Sequence, residues 1–267
     1  MKKNYVLLVS ALILLLISFT GCNQKNTEDK SLEKIREKGY FVVGLDDNFP
    51  PMGFRDKSGE IVGFDIDMAK EAAKRMGVEV KFKPVDWDGV ILSLKKKDID
   101  LIWNGLTVTE ERKKQISFSK IYLSNRQIII VNKDSNINSK DDLKGKIIGV
   151  QLGSSSEQAL NFDKDLIKTL KNVRKYSNNT EALLDLKAKR IDAVVIDEIV
   201  GRYYIAKRQD EYRILEKDIG DESYAVGIRK EDVSFREELD RVLDEMKKDG
   251  TAAEISKKWF GEDIVIK

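Results

Sequence analysis

Leu94–Lys95–Lys96–Lys97–Asp98–Ile99–Asp100–Leu101–Ile102–Trp103 is echoed further along the chain by Leu186–Lys187–Ala188–Lys189–Arg190–Ile191–Asp192–Ala193–Val194–Val195. Each stretch reads as the end of a helix, an Ile–Asp step and a short apolar strand. Val42–Val43–Gly44 and Ile147–Ile148–Gly149 make a second matched pair, each leading into a loop. Echoes this short fit two readings, ordinary α/β grammar or a true repeat. A true repeat means two similar lobes, each with loops at the C-terminal ends of parallel strands, where open α/β sheets bind ligands.

The residues around the first copy alternate between helical and strand periods. Leu32–Lys38 reads as a short helix closed by Gly39 and followed by a strand, Tyr40–Leu45. Phe64, Met68, Ala72 and Met76 share one side of a helix, Phe64–Met76, that stops at Gly77. A half-buried strand over Val78–Val85, a helix over Val90–Lys97 and a short strand over Ile99–Trp103 complete a βαβα pattern. That pattern predicts an α/β fold with a mostly parallel sheet flanked by helices. Two extended segments, Tyr122–Val131 and Asp221–Ile228, lie where a chain would cross between lobes. With both crossing, the first lobe is discontinuous and comprises 31–122 plus 226–267, the second spans 127–220, and 123–126 and 221–225 are the hinge. The C-terminal helices Phe235–Lys247 and Thr251–Trp259 then return to the first lobe, the second of them opened by a capping box, Thr251–Ala252–Ala253–Glu254.

The N-terminus reads as an address. Lys2 and Lys3 precede an apolar run, Tyr5–Phe19, that fits a signal peptide over residues 1–21 better than a membrane span. The run ends at Thr20–Gly21–Cys22, which resembles the lipobox of bacterial lipoproteins, with Phe19 in place of the usual aliphatic residue. Lipidation of Cys22 is one reading, and an incidental cysteine behind a plain signal peptide is the other. Cys22 is the only cysteine, so no internal disulfide is available despite export. The polar stretch that follows, up to Lys30, has no aromatic residue and suits a tether over 22–30.

Composition removes several function classes. The full chain carries a net charge of +2, two units of which are Lys2 and Lys3, so the exported part is near neutral. A nucleic-acid partner would need a basic face and is not expected. The chain contains no histidine, which excludes imidazole acid–base chemistry, Ser–His–Asp triads and His-ligated metals. Carboxylate-only chemistry stays open. Neither a cofactor nor a metal is expected.

Candidate binding residues stand at the strand ends. In Trp103–Asn104–Gly105–Leu106–Thr107–Val108–Thr109–Glu110–Glu111–Arg112, Thr109 suits a helix N-cap and the two glutamates suit the positive end of the helix. Arg112 does not. It is either an exposed charge neutralised by its neighbours or a planar clamp for a carboxylate at a helix start. In the second lobe, Ser154 and Glu157 fit a capping box, and the N–H groups around Ser155 face where an anion would bind. Asp197 ends an apolar strand and is either a cleft carboxylate or the N-cap of a helix from Glu198. An α-amino acid carries one carboxylate and one ammonium, and burying either unpaired is costly. Arg112 on one lobe and Asp197 on the other offer the opposite charge to each. The loop Asp46–Asp47–Asn48–Phe49–Pro50–Pro51–Met52 and Trp87 are the candidates for the ligand's side chain. Phe49 and Trp87 would sandwich it and Asp46 would accept from it, unless the aromatics are plain core residues.

These residues together resemble the extracellular solute-binding proteins of family 3, polar amino-acid receptors of ABC importers. The resemblance runs over Ser31–Gly261 through Gly44–Leu–Asp46, Phe49–Pro–Pro–Met–Gly–Phe54, Val62–Gly63–Phe64–Asp65–Ile–Asp67 and Ile99–Asp100–Leu101. It continues through Gly105–Leu–Thr107–Val–Thr109–Glu–Glu–Arg112, Leu143–Lys–Gly145, Ile191–Asp192–Ala193 and Lys258–Trp259–Phe260–Gly261. It implies a periplasmic-binding-protein-like type II fold, two α/β lobes joined by two hinge strands with the ligand cleft between them. It further implies that Arg112, Thr107 and Ser155 hold an α-carboxylate, that Asp197 and the Gly105 carbonyl hold an α-ammonium, and that Asp46, Phe49 and Trp87 surround the side chain. Asn104 and Gln151 occupy variable pocket positions. Trp103–Asn104–Gly105–Leu106–Thr107 is similar to the motif of members thought to carry cystine, which makes cystine the first expectation, with arginine, lysine and glutamine open. The partners so implied are an ABC permease and its ATPase, with the receptor a lipid-anchored monomer. Lysine-, isoleucine- and asparagine-rich usage together with such an anchor points to a Gram-positive surface. The alternatives are a ligand-sensing surface lipoprotein and a dehydratase-type enzyme on the same fold, for which Glu157 is the candidate acid.

Overall fold

Gly39 and Gly77 end the helices Ser31–Lys38 and Phe64–Met76 in left-handed conformations, φ 76° and 73°, that turn each chain end into a strand. This computed structural model describes residues 29–216 and 219–266, so the expected signal peptide and Cys22 lie outside the described residues. The strands in chain order are β1 (Tyr40–Leu45), β2 (Asn48–Phe49), β3 (Gly53–Arg55), β4 (Ile61–Val62), β5 (Glu79–Pro84), β6 (Leu101–Ile102) and β7 (Ser117–Phe118). They continue with β8 (Leu123–Asn132), β9 (Ile147–Gln151), β10 (Asn172–Tyr176), β11 (Ala193–Asp197), β12 (Tyr212–Ile214), β13 (Gly220–Tyr224) and β14 (Gly227–Ile228).

Two large sheets result, each the centre of one α/β lobe. The first runs β5–β1–β6–β14–β7, with β5, β1 and β6 parallel and β14 antiparallel to both neighbours. The second runs β10–β9–β11–β8–β12, with β10, β9 and β11 parallel and β8 antiparallel to β11 and β12. β13 pairs antiparallel with the first half of β8, from Tyr224 opposite Leu123 to Gly220 opposite Gln127. β2, β3 and β4 form a small antiparallel sheet beside the first. The helix Val233–Lys248 packs against Ser31–Lys38 and Phe64–Met76, burying Phe235, Leu239, Val242, Leu243 and Met246 along one stripe. The Phe235 ring lies 5.7 Å from that of Phe41 on β1, which ties the C-terminal segment to the first lobe.

The sequence echo is a geometric repeat. Asp100 accepts the Val42 N–H at 2.9 Å, and Asp192 accepts the Ile147 N–H at 2.8 Å. Lys97 and Lys189 both take positive φ, 65° and 58°, at the turn out of the preceding helix. A Cβ on Gly44 would sit 2.3 Å from Ile99 Cδ1, and one on Gly149 would sit 2.6 Å from Ile191 Cδ1. In both lobes, then, the isoleucine of the Ile–Asp step fills the space that the glycine leaves.

Some local expectations fail for identifiable reasons. The strand read over Ile99–Trp103 shortens to Leu101–Ile102, because Asp98–Asp100 is spent on the turn and the Asp100 link to β1. The strand read over Val78–Val85 alternates as expected, Val80 and Phe82 packing on the core, and it shortens to Glu79–Pro84 at the edge of the sheet. Thr251 is not an N-cap. Gly250 takes that position at φ 86°, Asp249 accepts the Thr251 N–H at 3.0 Å, and the Thr251 hydroxyl accepts from Arg75 at 3.0 Å. A carboxylate two residues upstream therefore does the work expected of the threonine.

Candidate functional site

Thr109 caps the helix Glu110–Gln115, its hydroxyl accepting the Arg112 N–H at 3.2 Å. Arg112 is not a surface charge, being only 8 % exposed. Its Nη1 donates to the Thr107 carbonyl at 2.9 Å, and its Nη2 reaches across the cleft to the Gly153 carbonyl at 3.2 Å. The guanidinium carbon lies 6.0 Å from the Trp87 ring centre. Burial lowers the Arg112 pKa below its ordinary value, and the Glu222 and Asp197 carboxylates oppose that. Carbonyl oxygens hold the fork in place, and no carboxylate forms a salt bridge with it among the described residues.

Asp197 ends β11 in the N-cap position, yet its side chain makes no cap bond. Its Oδ1 instead accepts from Asn125 Nδ2 at 2.6 Å, Tyr224 Oη at 2.7 Å and Gln127 Nε2 at 3.0 Å. The side chain therefore does not cap the helix and is spent on this buried polar network instead. Burial, and then the Glu222 carboxylate beside it, push Asp197 up to about 7. Glu222 reaches in from β13, its Oε2 accepting from Thr107 Oγ1 and Gln127 Nε2 at 2.9 Å each and from Asn125 Nδ2 and Ser155 Oγ at 3.2 Å each. Gln127 Oε1 accepts from Ser156 Oγ at 2.6 Å, which orients the amide so that its NH₂ faces both carboxylates. The Thr107 and Ser155 hydroxyls, one from each lobe, stand 3.0 Å apart and both point at Glu222.

The other end of the cleft is aromatic and acidic. Phe49 and Trp87 are buried with parallel rings, 6.5 Å between centroids and 8° between planes. Asp46 accepts from Gln151 Nε2 at 2.7 Å, a bond between lobes, and burial raises its carboxyl above the ordinary range. Gln151 also donates to the Ser177 carbonyl at 3.1 Å and accepts from Asn179 at 3.2 Å. Asn104 turns its Oδ1 to the Asp46 N–H at 3.1 Å, so it positions the Asp46 loop. Gly105 stands at φ 59°, where a Cβ would meet Phe49 Cε1 at 2.9 Å. Its N–H donates to Asp65 at 2.7 Å, a fully buried carboxyl that also takes the Tyr122 hydroxyl at 3.0 Å and that burial pushes up to about 7.

Ser154 has its hydroxyl committed elsewhere, donating to the Gln151 carbonyl at 2.7 Å and accepting the Glu157 N–H at 3.1 Å. The capping box there is displaced by one residue, since Glu157 accepts the Gly153 N–H at 2.8 Å rather than that of Ser154. Gly153 itself stands against the first lobe, where a Cβ would lie 2.7 Å from Asp88 Cα. Glu111 and Gln158 at 3.0 Å, and the Phe54 and Tyr203 rings at 5.8 Å, add further contacts across the cleft. Cavities of about 450 Å³ beside Arg112 and about 310 Å³ beside Asp46 open at its two ends.

Sequence reading missed Asn125, Gln127, Glu222 and Tyr224. A signal existed, because these are polar residues at alternate positions of two crossing strands, with Glu222 directly opposite Asn125 in register. The family profile of bacterial extracellular solute-binding proteins, family 3, matches residues 41–262. The chain belongs to that family. It is 34% identical over 247 residues to the L-cystine-binding protein TcyJ of Escherichia coli strain K12, covering 91% of each chain. It is 34% identical over 263 residues to the arginine-binding extracellular protein ArtP of Bacillus subtilis strain 168, covering 97% of this chain and 98% of that one. A solved ABC uptake transporter substrate-binding protein from Streptococcus pneumoniae with bound histidine matches with a TM-score of 0.87 at 36% identity, over 91% of this chain and 100% of that one. Family 3 is the amino-acid-binding family of ABC importers, and as an extracellular family it places this receptor outside the cytoplasm. The three relatives name three different amino acids, so likeness alone does not choose among them.

Proposed function

We propose that this family 3 receptor captures a polar amino acid with an elongated side chain and hands it to an ABC permease and its ATPase. The carrying observation is the pair Arg112 and Asp197, both buried, one from each lobe, each with its charge answered by neutral donors or acceptors rather than by a salt bridge. A zwitterion supplies what each lacks, its carboxylate to the guanidinium and its ammonium to the aspartate, with the Gly105 carbonyl beside it. Thr107 and Ser155 give their hydroxyls to Glu222 here, so the carboxylate role that the resemblance implies for them falls first to Arg112, and Asp46, Phe49, Trp87, Asn104 and Gln151 frame the side chain. The lobes are 31–122 with 226–267 and 127–220, and the β8–β13 pair is the hinge between them. A monomer tethered to the membrane through Cys22 completes this reading.

L-cystine is the first candidate ligand. Asp46 keeps acceptor capacity beyond its bonds from Gln151 and Asn48, which suits the far ammonium. L-arginine is the second reading, supported by the parallel rings of Phe49 and Trp87. A flat guanidinium between two such faces needs roughly 7 Å, twice a van der Waals contact, so the rings, 6.5 Å apart here, would part slightly to admit it and gain cation–π attraction. Isothermal titration with L-cystine, L-arginine, L-lysine and L-glutamine is expected to give saturable binding of at least one, with L-cystine or L-arginine tightest. Absence of saturable heat from all four, with circular dichroism confirming the fold, overturns the proposal.

A further inference from the structure

We infer that Glu222, on the crossing strand β13, is a second anionic ligand for the amino acid's ammonium. The inference rests on the zwitterion reading above and adds a residue that this reading does not use. Asn125 Nδ2 and Gln127 Nε2 each stand within hydrogen-bond distance of both carboxylates, Asp197 Oδ1 and Glu222 Oε2. An NH₂ group has two hydrogens, and the two carboxylates are the nearest acceptors for both, Ser155 Oγ lying farther from Gln127 Nε2 at 3.3 Å. The two anions are thereby bridged side by side rather than kept apart. Neither makes a salt bridge among the described residues, and Arg112 is held by two carbonyl oxygens. Like charges placed so close are unfavourable unless a proton or a ligand cation joins them, and above about pH 7 that leaves the cation.

The hydrogen bonds also leave acceptors over. Asp197 accepts through Oδ1 and Glu222 through Oε2, while Asp197 Oδ2 and Glu222 Oε1 accept no hydrogen bond among the described residues. One oxygen of each carboxylate is anchored and the other is left for a donor. A primary ammonium has three hydrogens, and Asp197, Glu222 and the Gly105 carbonyl make three acceptors. Glu222 is fixed for this by hydroxyls from both lobes, Thr107 and Ser155, so its carboxylate is set only when the lobes meet. A second carboxylate at the ammonium end explains how the receptor demands an α-amino group, because a ligand without one leaves two neighbouring anions unpaired.

The test compares the wild type with Glu222→Gln, which keeps size and hydrogen bonding but removes the charge. L-cystine, L-arginine, L-lysine and L-glutamine are titrated into both, together with the desamino analogue of each amino acid that binds. The variant is expected to lose about 10- to 100-fold in affinity for the amino acid and to bind the desamino acid as tightly as the wild type or tighter. A role in fold alone would weaken both ligands alike. Asp197 is faced by Glu222, Tyr224, Asn125 and Gln127 and feels the Arg112 charge, so removing the Glu222 charge is also expected to move the acid midpoint of binding downward. Glu222→Asp, which restores the charge on a shorter arm, should recover part of the lost affinity and supplies the comparison should the glutamine variant not fold. Equal or tighter amino-acid binding by Glu222→Gln, or a parallel loss for the desamino acid, removes Glu222 from the ammonium site. No binding of any of the four by the wild type would instead bring down the zwitterion reading itself.

Discussion

Arg112→Ala is expected to abolish amino-acid binding at micromolar protein while leaving the fold intact. Removing one member of a buried charge pair leaves the other desolvated and unanswered, at about 3–5 kcal/mol, or roughly a hundredfold to several thousandfold in affinity. The guanidinium also spans the cleft, joining the Thr107 and Gly153 carbonyls, so the variant loses a bond between lobes as well as its hold on a carboxylate. Arg112→Lys should rescue little, because an ammonium cannot reproduce the planar fork. Titration calorimetry reads both variants, and circular dichroism checks the fold. Wild-type affinity in Arg112→Ala would show that no ligand carboxylate rests there.

The second large effect is at Asp197, and it carries a pH signature. In the bridged carboxylate pair its pKa stands near 7, raised by burial and by Glu222. A ligand ammonium favours the ionised form and lowers that value, so binding below about pH 7 releases a proton. Affinity should therefore be full above about pH 7 and weaken as the pH falls, approaching tenfold per unit. Asp197→Asn is expected to lose about 2–5 kcal/mol of binding and to flatten the profile, since no carboxylate remains to titrate there. Calorimetry at pH 6 in two buffers of different ionisation heat counts the released protons. Proton release persisting in the asparagine variant would assign it to another group.

The fold was largely legible because its signals are periodic and local. Gly39 and Gly77 stop two helices where the chain turns left-handed, and the Ile–Asp echo is the same contact made twice. Arg112 was legible for a different reason, as a cation in a first helical turn that no local rule favours. The polar residues of the crossing strands were not legible. Asn125, Gln127, Glu222 and Tyr224 acquire meaning only when β8 lies against β13, a pairing between segments far apart in sequence. Ser154 caps its helix as the motif predicts, but the return bond falls one residue earlier, on Gly153, because Glu157 is long enough to reach either N–H. Thr251 failed as a cap because Gly250 and Asp249 already met the need.

Gly153 sets a mechanical tolerance for the whole receptor. Its backbone comes so near Asp88 that a single methyl would be 2.7 Å from the Asp88 Cα, so the mating faces fit to less than one carbon atom. Parts machined this closely act as a gauge. A cargo slightly too bulky for the aromatic slot would hold the faces ajar at a point remote from the misfit itself, and small-angle scattering would record the wider particle. A compact profile with such a cargo bound would show more play in the jaws than the Gly153 contact allows. Size would then be checked twice, once by the walls of the slot and once by whether the jaws can seat.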